Sequence, residues 1–161
     1  MKLLFSIFCF LFSFSNPDIS EVRKLYPNAA NSEVTSKEFL SKLLEVTTES
    51  NKTLVAYKGS AITISAKFEK KISDKIKNFK EGAKLVELAI GSEPNNIEIR
   101  LIRLSIQENV PKIVKYNKNK KEDAMFILAH YNEQSNALRA YLKSFILQSK
   151  SFSSDEKQTI K

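Results

Sequence analysis

Tryptophan is absent from this sequence of 161 residues, cysteine and histidine occur once each, and there are three glycines and four prolines. Each shortage removes a class of chemistry. A single cysteine closes no internal disulfide, and a single histidine falls short of the set of His or Cys ligands that a zinc site commonly draws from the protein. The few glycines form neither a phosphate-cradling loop nor a Gly-x-Ser-x-Gly elbow, and His130 is the only histidine that could stand beside a serine. The chain therefore reads as non-enzymatic, with no cofactor and no metal expected. Strand patterning is equally scarce. Alternation is visible only from Ala61 to Ala66, where the helical spacing of Ile62, Ala66 and Glu69 competes with it.

What is present begins with an apolar leader. Lys2 precedes an unbroken run of apolar residues and serines from Leu3 to Phe14, followed at once by Asn16, Pro17 and Asp18. At ~1.5 Å per residue such a run covers roughly 18 Å, short of the ~30 Å hydrocarbon core, so residues 1–15 read as a signal peptide rather than a spanning helix. Ser13 and Ser15 occupy the small-residue positions, which places the cut after Ser15 and the protein in the periplasm or outside the cell. Cys9 lies mid-run behind Phe8, not after a small residue at its end, which argues against a lipid-bearing cysteine. Cleavage would remove this only thiol, leaving a core that holds without disulfides.

The formal charge is +8, and it is unevenly placed. Between Asn16 and Ser60 six basic residues balance six acidic ones, whereas from Ala61 onward nineteen stand against twelve. Lys67, Lys70, Lys71, Lys75, Lys77, Lys80 and Lys84 form one concentration, and Lys112, Lys115, Lys118, Lys120 and Lys121 the other. Such fields attract anionic lipid, polysaccharide or acidic protein in a salt-dependent way, or serve simply as a hydrated, solubilising face. Only four of the 26 basic residues are arginine, the side chain suited to bidentate phosphate and base contacts, so nucleic acid is not expected as a partner.

Pro17, Pro27, Pro94 and Pro111 all fall between apolar-periodic segments, which suits helices. The spacing predicts a short helix from Asp18 or Ser20 to before Pro27, then a second over about 36–47 with Ser36 as its cap and Phe39, Leu40, Leu43, Leu44 and Val46 inward. A third is expected over 51–73, with Gly59 marking a close contact or bend. A fourth over 74–91 would bury Ile76, Phe79, Val86, Leu88 and Ala89 and end on Gly91. The helix over 96–109 has so wide an apolar arc, with Ile97, Ile99, Leu101, Ile102, Leu104 and Ile106, that it belongs at the centre. Two more, over 122–131 and 136–148, close an all-α fold of six to seven helices, arranged as antiparallel hairpins in a compact bundle or short solenoid-like stack. The domain spans 16–150, and 151–161 reads as a polar, fraying tail.

Gly82, Val86 and Ala89 followed by Pro94, Asn95 and Asn96 resemble the second helix of a tetratricopeptide repeat and the turn after it, where small residues let helices approach closely and proline opens the next unit. The likeness covers about half a repeat, and no second copy stands about 34 residues away. The resemblance implies a non-catalytic protein-binding scaffold with a concave face.

Three groups of residues are candidates for contact with a partner. Arg100 and Arg103 share one side of the central helix, positioned either to clamp a carboxylate or phosphate or to pair with Glu87, Glu93 or Glu98. His130 has Asp123 and Glu133 at helical spacing, which allows an acid/base or metal grouping to be drawn, although its place near a helix end equally suits the C-terminal dipole. Tyr116 and Tyr131 flank the lysine loop, and Tyr116 with Lys118, Lys120 and Lys121 could form a partner surface. The expected function is an exported helical binding module of the cell envelope, its groove near Arg100, Arg103 and the loop over 112–121. The alternative is a basic protein adsorbing to anionic lipid or polysaccharide.

Overall fold

A computed structural model describes residues 16–160. The leader expected at 1–15 and the cut expected after Ser15 lie outside the described residues. Eight α-helices and no strand occur among them: α1 (Ile19–Leu25), α2 (Glu33–Ser41), α3 (Lys52–Ser65), α4 (Ile72–Ser92), α5 (Ile97–Asn109), α6 (Lys120–His130), α7 (Asn136–Gln148) and α8 (Ser154–Thr159). None of them is long and apolar enough to cross a membrane.

Local side-chain chemistry sets most of the boundaries. Asp18, Asn51, Asn96 and Ser135 accept hydrogen bonds from the first free amides of α1, α3, α5 and α7, satisfying donors that the helix leaves open. Helix α2 starts earlier than expected because Ser32 and Thr35 form a reciprocal capping box, which leaves Ser36 buried inside the helix instead of capping it. It also ends earlier, at Ser41, and Leu43 and Val46 reach the core from the following turn, where Lys58 Nζ donates to the carbonyls of Leu44 and Val46. Leu44 itself is exposed.

The helix expected over 51–73 is two elements joined by a 3-10 turn at Ala66–Phe68. Ser60, Thr63 and Ser65 turn their hydroxyls onto the carbonyls of Tyr57, Ser60 and Ile62, a competition with the helical ladder that weakens it toward its C-terminus. After the extended residues Glu69 and Lys71, α4 begins at Ile72. Gly91 is not the terminal position: α4 continues to Ser92, and the amide of Glu93 closes the last turn onto Ala89 O before Pro94. Gly59 does mark a close contact. A Cβ there would lie 2.6 Å from the carbonyl oxygen of Gly82 and 2.8 Å from Val86 Cγ2, so α3 and α4 meet backbone to backbone.

The described helices bury one another's apolar side chains, and the unit that begins at Asn16 therefore has a core of its own. Helix α5 runs through it, with Ile99, Leu101, Ile102 and Leu104 fully enclosed, as its wide apolar arc requires. Tyr26, Phe39 and Tyr57 pack as an aromatic trio with centroids 5.4–6.2 Å apart. The segment expected to fray is ordered into this core. Ser153 and Glu156 form a second capping box, Phe152 and Ile160 are buried, and Phe152 meets Phe145 edge-on at 6.5 Å.

Candidate functional site

The charges of α5 organise its surroundings. On one side Glu98, almost wholly buried, receives Arg23 Nε at 2.8 Å and Nη2 at 2.7 Å, and Tyr57 donates its hydroxyl to the same carboxylate at 2.6 Å. This ties α1 and α3 to α5. The Glu98 hydrogen bond is the main reason that the Arg23 guanidinium is held even more firmly protonated than usual, and burial pushes the Tyr57 phenol well up.

Arg100 and Arg103 form the counterpart on the other side. Arg103 grips Asp123 of α6 with two parallel bonds, Nε to Oδ2 and Nη2 to Oδ1, both 2.7 Å long. Its Nη1 donates to Glu87 of α4 at 3.2 Å. Arg100 donates to Pro94 O at 2.7 Å, to Glu122 Oε1 at 2.8 Å and to Asp123 Oδ1 at 3.0 Å. Asp123 is fully buried, so its charge is carried by the Arg103 fork, a geometry that lysine lacks, and by Nη1 of Arg100. Glu122, at the surface, has its carboxyl lowered chiefly by the hydrogen bond from Arg100. The arginines are thus occupied within the fold, and the clamp drawn from their spacing closes on this chain's own Asp123. Of the partners expected for them, Glu87 is found; Glu93 is bonded to Asn96 and Glu98 to Arg23.

From Arg100 outward a stack leads to the surface. Its guanidinium carbon lies 4.3 Å from the centre of the Phe126 ring, the Phe126 and His130 centroids are 4.3 Å apart, and His130 Nδ1 lies 2.8 Å from Glu133 Oε2. A shallow groove of about 600 Å³ runs along this part of α6, lined by Arg100, Lys121, Met125, Phe126, Ala129 and His130 among others. Met125, whose spacing on α6 is that of a core residue, is 58% exposed on its wall.

The groove brings together Arg100, Lys121 and His130 of the residues singled out in the sequence. Arg103 lies behind it in the interior. Tyr116 is turned toward α4, donating to Glu87 Oε1 at 2.6 Å and meeting Phe79 edge-on at 5.7 Å, and burial followed by Glu87 raises its phenol. Lys118 is exposed in the loop before α6, Lys120 is half-buried at the first position of α6, and Tyr131 is buried. His130 and Asp123 do not form the acid/base pair that their spacing allows, because both Asp123 oxygens are held by arginine. No cluster of potential metal ligands occurs among the described residues. Phe126 and Met125 were not expected at a site, Glu98 was expected only as a partner for the arginines, and Asp123 only as a partner for His130. The available signal was a charge of opposite sign on each of two apolar helices, Asp123 on one and the arginines on the other.

Comparison with family models, with curated proteins and with solved structures finds no match to this chain.

Proposed function

We propose that this chain is an exported, non-catalytic helical module that captures a segment of an envelope or extracellular protein in the groove along α6. The observation that carries the reading is the composition of that groove: an exposed, adaptable Met125 and the aromatic floor of Phe126, with the Lys121 ammonium, the His130 imidazole and the Glu122 carboxylate at its edge. Methionine and aromatic side chains are favoured at the centres of protein interfaces, and the Lys121 ammonium at the edge suits a segment with an acidic residue next to an aliphatic one. The buried pairs behind Arg100 keep the floor rigid, so little ordering of α6 is needed on binding. The leader at 1–15 supports export, and the half-repeat resemblance supports a scaffold role.

The test is site-specific photo-crosslinking in the producing cell. A crosslinking amino acid at Met125 should trap a discrete partner, the same probe at the exposed Leu147 should not, and Lys121→Glu should cut the yield at 125 several-fold with helicity unchanged. Absence of any adduct at 125, or equal adducts at both positions, overturns the proposal.

A further inference from the structure

Helix α4 has an apolar stripe that outruns its cover. Ile72, Ile76, Phe79, Ala83, Val86 and Ile90 follow one another at helical spacing, and from Ala83 onward they are buried. The first two are not: Ile72 is 74% exposed and Ile76 50%, although the sequence places Ile76 in the core. The loop between α5 and α6 lies against this same side of α4, because Tyr116 rests on Phe79 and Glu87. It too displays aliphatic side chains to solvent, with Ile113 87% exposed and Val114 beside it. Lys115, at φ 55°, turns the chain between these residues and Tyr116.

Lysines border the exposed aliphatics. At 3.6 residues per turn, Lys80 and Lys84 fall along one flank of the α4 stripe, beside Glu87, which Arg103 and Tyr116 already hold, with Lys77 further round; Lys71 falls along the other flank, and Asp74 and Glu81 on the opposite side of the helix. Lys115 and Lys118 stand in the loop. All six of these lysines are exposed, and none enters an ion pair among the described residues.

We infer that the exposed isoleucines of α4 and of the 110–119 loop, set among unpaired lysines, form a face that adsorbs to an anionic lipid bilayer. Charge opposes a second copy docked through this same face, since the lysines of one chain would meet those of the other. The isoleucines decide among polyanions: their burial is favourable in the interfacial zone of a bilayer, whereas a hydrated polysaccharide offers them nothing. Aliphatic tips between hydrated ammonium groups match the headgroup–acyl boundary, where lysine stems reach along apolar surface and their charges remain among phosphates.

The inference concerns a different surface from the α6 groove, and one experiment separates them. The chain from Asn16 to Lys161 is sedimented with vesicles of phosphatidylglycerol and phosphatidylcholine, with vesicles of phosphatidylcholine alone, and without vesicles. Binding is expected only to the anionic vesicles and should be released by high salt. The double variant Ile72→Asp with Ile113→Asp should lose at least about tenfold in partition, as removal of aliphatic insertion requires. Lys77→Gln with Lys80→Gln and Lys118→Gln should weaken it by a similar factor, and Met125→Asp should leave it unchanged. All three variants should retain the wild-type circular-dichroism spectrum, since every substituted side chain is exposed. Undiminished binding of the isoleucine variant, equal binding to neutral vesicles, sedimentation without lipid, or loss on changing Met125 would each overturn the inference.

Discussion

Arg100 and Arg103 on α5 carry charge of the same sign as Lys77, Lys80 and Lys84 of α4 and Lys115 and Lys118 of the 110–119 loop, yet the arginines are sealed against Asp123 whereas these lysines stand in water. The difference follows from the side chains. A guanidinium is planar, weakly hydrated and able to hold one carboxylate by two parallel bonds, so two arginines can neutralise a buried aspartate and tie α5 to α6. An ammonium is compact and strongly hydrated, and burying it without a partner would cost several kcal/mol. Positive charge therefore acts as internal fastening in one region and as a field directed outward in the other.

Removing the partner of the sealed pair is the strongest way to break this comparison. Asp123→Ala removes the one fully buried carboxylate that Arg100 and Arg103 share, leaving them Pro94 O and the exposed Glu122 and Glu87, and should destabilise the fold by about 3 kcal/mol, read as a shift in the urea midpoint with an unchanged slope. Alkali should act next, through buried phenols. Burial pushes Tyr26 up to about 12 and raises Tyr57, Tyr116 and Tyr141 as well. The folded chain thus prefers the neutral phenol, so full stability holds below the ordinary tyrosine pKa of about 10 and is lost as pH rises through about 12. For Tyr26 alone the loss is roughly 2–3 kcal/mol at 1.36 per unit, and thermal midpoints followed with phenolate absorbance should fall together above pH ~10. The smallest effect belongs to the outward field: Lys77→Gln or Lys80→Gln should change stability by no more than about 0.5 kcal/mol in the same urea titration. A large loss there would erase the contrast.

The periodic elements were legible from residue order, and the long-range pairings were not. Helix α7 occupies the range expected for it, and α5 begins one residue inside its own, after Asn96, because cap residues and apolar spacing are local signals. Helix α2 was misplaced because Ser36 and Ser32 are equally good caps on paper; the reciprocal bond with Thr35 selects Ser32. The ordered tail was missed because its two apolar anchors, Phe152 and Ile160, are separated by polar residues and declare themselves only when Phe145 is in place. At the site, helical spacing gave Asp123 to His130, its neighbour on the same helix. The fold gives it to Arg100 and Arg103, more than a dozen residues away in sequence, and no periodicity encodes that choice. The same limit hid the exposure of Ile76 and Met125, whose spacing is that of core residues but whose covering elements stop short of them.

The enclosure of α5 has a kinetic consequence. Its peptide groups lie beneath α3, α4 and α6, fastened to α1 through Glu98 at one side and to α4 and α6 through the two arginines at the other. Their amide protons should trade for deuterium only when the whole unit comes apart, at a rate set by global unfolding, whereas those of α8 exchange through local fluctuations long before.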